Sequence, residues 1–288
     1  MNFIALKNNT IKESIVAVGL AGKKSNNPSV ILGSGFLINN EGFVLTAKHV
    51  ITATINILVN YPEHEVASFY ITIEQNKISV NKLSCKNYAL IITDEDAEYY
   101  IQEDVDIALL IPKLNKNTKF LKIKKDPVEI YSEVCICGYP GGNSSLYIAD
   151  PSKQYTYRFS PMMQFGRIST LIPYDTQYPV KAIQTDIISS GGSSGSPIID
   201  PSDAKVIGIA TNVISGSVTG QVLLNSKYYT VPGLAKIGPV YGPSSHYFYD
   251  MVEKSIQIAN GEDVRSKIHL INIENKWKFR KFTYCYYH

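Results

Sequence analysis

Long apolar runs are missing from this sequence. None of its apolar stretches approaches the ~18 residues that a membrane-spanning helix requires, so the sequence predicts no transmembrane segment. A large excess of charge is missing as well, because 28 Lys and Arg residues stand against 25 Asp and Glu residues, a net charge of +3. A balance this mild disfavours nucleic acid as the main partner. With 44% hydrophobic residues in 288, the chain is expected to bury a full core as a globular protein.

A convincing secretory signal is also missing. The first apolar run, IVAVGLAG (15–22), has Glu13 just ahead of it. A signal peptide instead carries a basic, acid-free region before its apolar run. We therefore expect this run to be an opening strand of the fold and the protein to be cytoplasmic.

Cysteines are few, and they form no compact disulfide framework. The four are Cys85, Cys135, Cys137 and Cys285. Cys135 and Cys137 lie two residues apart on a predicted strand, which places both side chains on one face, and a disulfide between them would need strained geometry. The sequence shows neither four zinc ligands nor a His-x-x-x-His pair. It therefore favours buried, reduced thiols over a redox or metal site.

Short, β-branched segments bounded by Gly, Asn, Pro or Asp make up most of the chain. They include SIVAVGL (14–20), GFVLTAKHV (42–50), TINILVN (54–60) and VIGIATN (206–212). A helical period is clear only over 244–261. Many short strands with one late helix predict an all-β protein, either a barrel or a sandwich.

A serine- and glycine-rich segment, SSGGSSGSPIID (189–200), allows three interpretations. It fits a flexible linker, the Gly-x-Ser-x-Gly nucleophile elbow of an α/β-hydrolase centred on Ser193, or a protease nucleophile loop in which Ser194 reacts. An elbow must lead from a strand directly into a helix, but a predicted hairpin follows here. A linker is disfavoured because apolar strands flank the segment on both sides. The surrounding sequence therefore favours the protease loop.

Four motifs together resemble those of the trypsin/chymotrypsin-like serine proteases, most closely the bacterial HtrA-like branch. GSGF followed by LTAKHV (33–50) resembles the histidine motif, and EDVDIALLIP (103–112) resembles the aspartate motif. CICGYPGG (135–142) resembles the Gly-x-Pro segment that opens the second barrel, and QTDIISSGGSSGSPIID (184–200) resembles the serine motif. The resemblance covers roughly residues 14 to 260.

The resemblance implies a catalytic triad of His49, Asp106 and Ser194. A serine hydroxyl needs a neighbouring imidazole to take its proton, and His49 is the histidine that the motif supplies. The family pattern Gly-x-Ser-Gly fits this chain only with Ser194 as nucleophile, and the N–H groups of Gly192 and Ser194 would form the oxyanion hole. Asp106 directly precedes an apolar run, which three nearby aspartates do not. These rivals are Asp94, Asp96 and Asp104.

The resemblance also places Ile188, Thr211 and Asn212 in the substrate cleft. Ile188 takes the position at the base of the specificity pocket where enzymes that select Lys or Arg carry an acid. The nearby Asp186 belongs to a Thr-Asp pair that HtrA-like sequences share without cutting after basic residues. We therefore expect cleavage after small or medium apolar residues.

The architecture implied by the resemblance is two six-stranded antiparallel β-barrels with the active site in the cleft between them. The barrels would span about 12–115 and 128–240, and a helix at 244–261 would close the domain. We expect the protease domain to cover 10–262 and a basic, aromatic extension to cover 263–288.

The implied function is that of a serine endopeptidase, which forms an acyl-enzyme on a protein or peptide substrate and needs no metal or organic cofactor. The alternatives are a catalytically silent binding module on a protease fold and an esterase with the same triad. The residues after 261 are too few for the peptide-binding (PDZ) domain usual in HtrA-like proteases. The loop at 141–169 is either a regulatory element or an ordinary insertion, and a regulatory partner would contact it or the extension. Alternation over 276–287 predicts a strand with one aromatic face.

Overall fold

Strands dominate the computed structural model, which describes residues 10–74, 77–90, 106–113, 117–142, 160–173, 180–213, 216–224, 227–235, 238–262 and 269–272. The first strands are β1 (Ile15–Gly22), β2 (Pro28–Leu37), β3 (Val44–Thr46), β4 (His64–Glu74), β5 (Lys77–Leu90) and β6 (Ala108–Pro112). They are followed by β7 (Glu133–Gly138), β8 (Met162–Ile172), β9 (Ala182–Ser189), β10 (Ser196–Asp200), β11 (Lys205–Ala210) and β12 (Asn212–Val213). The last strands are β13 (Gly216–Leu224), β14 (Lys227–Ala235), β15 (Gly238–Pro243) and β16 (His269–Asn272). The helices are α1 (Thr10–Ser14), α2 (Lys48–Leu58) and α3 (Ser245–Ala259).

The first sheet closes on itself. Its strand order is β16-β5-β4-β1-β2-β3-β6, and an additional pairing of β5 with β6 closes β1 to β6 into a six-stranded barrel. The second sheet has the order β11-β10-β7-β8-β9-β15-β12, and β13 pairs with β14 in a separate hairpin. Since β11 and β12 do not pair within the described ranges, the second sheet is a half-barrel of seven strands where the sequence predicts a closed barrel of six. The predicted all-β class is confirmed, with one closed six-stranded barrel and one half-barrel.

The core explains why β1 is apolar on both of its faces. Ile15 and Ala17 lie in a buried cluster that also contains residues of β7 and α3. Val16 and Val18 lie in a second cluster that contains buried residues of α2. Because successive side chains of a strand point to opposite faces, a strand covered on both sides needs a continuous apolar run. This burial places β1 and β2 between α2 and the second sheet.

Helix α2 forms where two strands were predicted. The strand prediction for 42–50 is correct only over β3, and the strand prediction for 54–60 is wrong. Its β-branched residues recur at helical spacing, and one face is buried because the helix packs on β1, β2 and β4. The buried residues are Val50, Ile51, Thr54 and Leu58. Tertiary burial of this face outweighs the strand propensity of Ile and Thr. In the part of the chain that the structure describes, no helix is both long and apolar enough to cross a membrane.

The C-terminal extension contributes a strand to the first sheet. The four residues of β16 pair antiparallel with β5, from His269 opposite Leu90 to Asn272 opposite Asn87. The predicted strand over 276–287 lies outside the described residues. An extension that adds a strand covers the hydrogen-bonding edge of its neighbour, so it contributes to the stability of the barrel.

Truncation after Gly261 is expected to destabilise the protein because it removes β16 from the edge of β5. In a domain of this size, each 1 kcal/mol lost lowers the melting temperature by about 2–4 °C. Thermal unfolding of the full and truncated chains measures the difference. An unchanged melting temperature together with lost binding of a partner would instead assign the extension to recognition.

Three cysteines are buried, unpaired thiols: Cys85, Cys135 and Cys137. Burial raises the pKa of Cys85 and of Cys135 to about 12, and it raises the pKa of Cys137 further. The thiolate is the reactive form, so at pH 8 these side chains stay protonated and unreactive. We expect peptide mapping after iodoacetamide treatment of the native protein to find none of the three alkylated. Treatment in guanidinium chloride is the control, since all three should then react, and native alkylation of any of them would contradict the prediction.

Candidate active site

Two strands of the first barrel bring His49 and Asp106 together. His49 lies in the first turn of α2, directly after β3, and Asp106 lies just before β6. These strands are antiparallel neighbours, with Thr46 opposite Ala108. Because the end of one antiparallel strand meets the start of the other, the residues that follow β3 meet those that precede β6.

The carboxylate of Asp106 contacts His49 through both of its oxygens. Oδ2 lies 2.6 Å from Nδ1 of the imidazole, and Oδ1 accepts the backbone N–H of His49 at 2.9 Å. The side chain of Asp106 is 26% exposed and that of His49 is 48% exposed. The imidazole is therefore held at Nδ1 and open to solvent, which leaves Nε2 as the nitrogen that can exchange a proton with a third group. The rivals Asp94, Asp96 and Asp104 lie outside the described residues.

The loop between β9 and β10 carries the candidate nucleophile, and two of its glycines occupy positions that have no room for a side chain. Gly192 has a φ of +94°, and a Cβ there would lie 2.6 Å from the carbonyl oxygen of Tyr139. Gly195 has a φ of +89°, and a Cβ there would lie 2.0 Å from the carbonyl oxygen of Ser34. At either position a residue with a side chain would have to adopt the unfavourable left-handed conformation, and its Cβ would also clash with backbone atoms. The glycines allow the loop to pack against β2 and against the turn that follows β7.

The three serines that follow Gly192 differ in accessibility. Ser193 and Ser196 are buried, whereas Ser194 is partly exposed. The hydroxyl of Ser193 makes a short hydrogen bond with that of Ser189. The hydroxyl of Ser194 donates to the carbonyl of Thr211 at 3.3 Å. A nucleophile must reach its substrate, so accessibility favours Ser194.

The backbone amides of the loop divide into used and unused donors. Those of Ser193, Gly195 and Ser196 donate to carbonyl oxygens of Ser190, Ala210 and Ser193. The N–H groups of Gly192 and Ser194 have no acceptor in the described part of the structure. Two unused donors separated by one residue can both donate to one oxyanion.

The segments that carry Ser194 and His49 meet at Gly33. A Cβ at Gly33 would lie 2.5 Å from Cγ2 of Val50, the neighbour of His49, and 2.9 Å from the carbonyl oxygen of Ser194. Within the described residues no hydrogen bond joins the Ser194 hydroxyl to the imidazole. Catalytic hydrogen bonds are often long without substrate and shorten in the complex. The structure thus places the two side chains in adjoining segments, with the hydroxyl turned to Thr211.

The predicted cleft residues lie around the same loop. Ile188, near the end of β9, is 52% exposed, and its carbonyl accepts a hydrogen bond from the Gln164 side chain. Thr211 is buried, and Asn212 on β12 is exposed. Asp186 accepts the backbone N–H of Arg167 at 2.7 Å, so its carboxylate is engaged with β8.

Sequence reasoning missed two contributors to the site. Ser34 hydrogen-bonds to Gly192 and Tyr139, and Gly141 donates its N–H to the carbonyl of Gly191 at 2.6 Å. Ser34 lies in the motif GSGF and Gly141 in the motif CICGYPGG, but their bonds join distant segments. Among the described residues no three His, Cys, Asp or Glu side chains lie close enough to hold a metal ion.

Comparison with known proteins agrees with this architecture. The chain matches the trypsin-like peptidase domain over residues 33–209, which is more than half of its length. Human heparin binding protein aligns with a TM-score of 0.52 at 12% identity, covering 87% of this chain and 94% of that one. Neuropsin, described as a serine protease of mouse brain, aligns with a TM-score of 0.51 at 12% identity, covering 86% of this chain and 96% of its own. The two structures show that the fold is chymotrypsin-like, and the domain match shows that the chain belongs to the trypsin-like peptidase family.

Proposed function

We propose that the protein is a serine endopeptidase that acts through an acyl-enzyme. The observation that carries this proposal is the contact of Asp106 with both the backbone N–H and the Nδ1 of His49, beside a loop that exposes Ser194. This contact fixes the imidazole in the tautomer that leaves Nε2 without a proton and able to act as a base.

Each group has a defined role in the proposed reaction. The Ser194 hydroxyl turns from Thr211 towards His49 and attacks the scissile carbonyl, while Nε2 of His49 takes its proton and returns it to the leaving amine. Asp106 stabilises the imidazolium that forms in between. The N–H groups of Gly192 and Ser194 stabilise the oxyanion, and each such donor contributes about 3–4 kcal/mol to the transition state. Water then hydrolyses the acyl-enzyme by the same route.

A catalytically silent binding module is the second candidate, because the Ser194 hydroxyl is bonded to Thr211 and not to His49. The fold accommodates both, since one similar protein is named for heparin binding and another is described as a serine protease. Treatment of the intact chain with a fluorophosphonate probe distinguishes the endopeptidase from the silent binding module. A reactive serine is labelled stoichiometrically, whereas a silent module stays unlabelled and contradicts the proposal. Parallel assays with peptide and ester libraries then separate a peptidase from an esterase.

We propose that the enzyme cleaves after small or medium apolar residues. A Lys or Arg side chain against Ile188 would lose hydration without gaining a counter-charge. Discrimination among apolar side chains is expected to be about 1–3 kcal/mol per methylene. Profiling with a peptide library measures the preference.

Two variants sharpen this specificity test. Ile188→Asp should shift the preference towards Lys and Arg, because it places a carboxylate at the base of the pocket. Asp186→Asn is the matched control and should leave the preference unchanged, since Asp186 is bonded to the Arg167 backbone. A dominant preference of the wild type for basic residues that Asp186→Asn abolishes would show that Asp186 reaches the pocket.

We propose a cytoplasmic location, supported by Glu13. Its buried carboxylate accepts the Ile73 N–H at 2.9 Å and pairs with Lys119, so it acts as part of the folded domain. The domain start at residue 10 is proposed on the same basis, whereas a protein substrate is proposed because the chain has a trypsin-like peptidase domain. We propose that a regulatory partner contacts the 141–169 loop or the extension 263–288. Of these segments the structure describes 141–142, 160–169 and 269–272, and residues 162–169 belong to strand β8, so this part of the predicted loop is wrong.

A further inference from the structure

Every polar group of Ser34 has a partner, although the residue is fully buried in β2. Its hydroxyl donates to the carbonyl of Gly192 at 2.8 Å and accepts the N–H of Tyr139 at 2.8 Å. Its own N–H donates to the carbonyl of Ser194 at 2.8 Å, and its carbonyl accepts the Thr46 hydroxyl at 2.6 Å. One serine therefore connects the first barrel, the turn after β7 and the nucleophile loop.

We propose that Ser34 is a positioning residue that sets the geometry of the oxyanion hole, an inference that rests on the proposed peptidase function. The two unused amide donors belong to Gly192 and Ser194, and Ser34 holds the carbonyl of each of these same residues. Two backbone rotations, φ and ψ, separate a residue's carbonyl from its own N–H, so fixing the carbonyl restricts the directions that the N–H can take. The spacing and direction of the two donors thus depend on a single side chain and its own amide.

The turn that follows β7 adds a second connection to the same hole. The N–H of Tyr139, which donates to Ser34, opens this turn, and the N–H of Gly141 within it donates to the carbonyl of Gly191 at 2.6 Å. In a trans peptide the N–H points opposite to the carbonyl, so this bond directs the N–H of Gly192. Loss of the Ser34 hydroxyl would remove one hydrogen bond from the turn and one from the loop.

Packing holds the hydroxyl of Ser34 in its bridging position. A Cβ at Gly138 would lie 2.9 Å from Oγ of Ser34 and 1.9 Å from Oγ of Ser196, so the absence of a side chain there makes room for both. Alanine at position 34 would remove the hydrogen bonds that the Ser34 hydroxyl makes with the carbonyl of Gly192 and the N–H of Tyr139. Buried groups left unpaired favour a rearranged backbone.

The test is Ser34→Ala in the full chain, read by kinetics on a peptide substrate. We expect kcat to fall by about 10- to 100-fold, less than the effect of deleting a donor, because the donors are displaced and not removed. KM should change by less than about twofold, since ground-state binding does not use the oxyanion hole. The inhibition constant of a peptide aldehyde, whose adduct places an oxyanion in the hole, should rise by the same factor as kcat falls.

Ser255→Ala is the matched control. Ser255 is also fully buried, and its hydroxyl donates to the carbonyl of Met251 at 2.8 Å, within α3. This variant loses a comparable hydrogen bond away from the site, so any loss of stability should leave kcat unchanged. A folded Ser34→Ala with unchanged kcat would overturn the proposal. If Ser34→Ala does not fold, Ser34→Cys keeps a weaker donor and acceptor, and unchanged kcat in that variant overturns the proposal too.

Amide hydrogen exchange separates this inference from the proposed function. The N–H of Tyr139 should exchange faster in Ser34→Ala than in the wild type or in Ser255→Ala, and this readout needs no activity. If the wild type hydrolyses no substrate, the proposed function is wrong, and exchange at Tyr139 still decides whether Ser34 holds the turn. If neither the exchange of the Tyr139 N–H nor kcat changes in Ser34→Ala, Ser34 neither holds the turn nor sets the geometry of the oxyanion hole.

Discussion

Replacing Ser194 by alanine is expected to abolish hydrolysis and fluorophosphonate labelling while leaving the fold intact. The hydroxyl is partly exposed and makes one hydrogen bond, to Thr211, so its removal costs little stability. No other side chain of the loop offers an accessible hydroxyl between the two unused amide donors. Loss of a triad nucleophile lowers kcat by a factor on the order of 10⁶. Steady-state kinetics and probe labelling, with thermal unfolding to verify the fold, measure the effect.

Ser193→Ala and Ser196→Ala are the matched controls, because each removes a hydroxyl from the same loop. Ser196 is fully buried, and its hydroxyl has no partner within the described structure, so this variant should be nearly neutral. Ser193→Ala removes the bond to Ser189 and should cost some stability but keep most activity. Labelling that persists in Ser194→Ala and disappears in Ser193→Ala would assign the nucleophile to Ser193.

The fold and the position of the candidate site were predictable where the determinants are local in sequence. The loop at 189–200 contains glycines at positions that have no room for a side chain, and this constraint is visible as a motif. The hairpin formed by β10 and β11, which excluded the nucleophile elbow, is also local. The sequence therefore placed the loop between two strands and preferred Ser194 to Ser193.

Two elements were not predictable because distant residues determine them. Helix α2 carries Ile and Thr residues that favour strands, and only packing against the barrel makes the helix the stable choice. Strand β16 has four residues, too few for a periodic pattern, and its partner β5 lies far earlier in the chain. The number of strands in the second sheet depends on the same kind of long-range pairing.

The role of Ser34 was hidden for a related reason. Its hydroxyl bonds to residues 105 and 158 positions away, so no local pattern specifies them. The motif GSGF marks the position, but from the sequence alone its serine is simply a small residue of a strand. Its role is visible only when the fold brings β2, the turn after β7 and the nucleophile loop together. Motifs locate reacting groups, whereas the residues that align those groups emerge from tertiary contacts.

Asp106→Asn is expected to lower kcat by a factor of roughly 10⁴ without unfolding the protein. The backbone N–H of His49 occupies one oxygen of Asp106 and is a fixed donor, so the asparagine amide should turn its oxygen towards it. The amide nitrogen then faces Nδ1 and donates to it, which forces the imidazole proton onto Nε2. An Nε2 that carries a proton cannot accept one from Ser194.

The asparagine variant keeps the shape of the contact with His49 but reverses the direction of the hydrogen bond to Nδ1. It therefore tests the basicity of Nε2 separately from the orientation of the imidazole. Asp250→Asn is the control, since Asp250 forms an exposed ion pair with Lys125 and its loss should leave kcat unchanged. Kinetics and the rate of fluorophosphonate labelling should fall together in Asp106→Asn, because both require proton transfer from Ser194. Full activity in Asp106→Asn with loss of activity in Asp104→Asn would transfer the role to Asp104. A Ser194 that stays equally reactive in both variants would show that it is activated without an aspartate, and the triad proposal would be wrong.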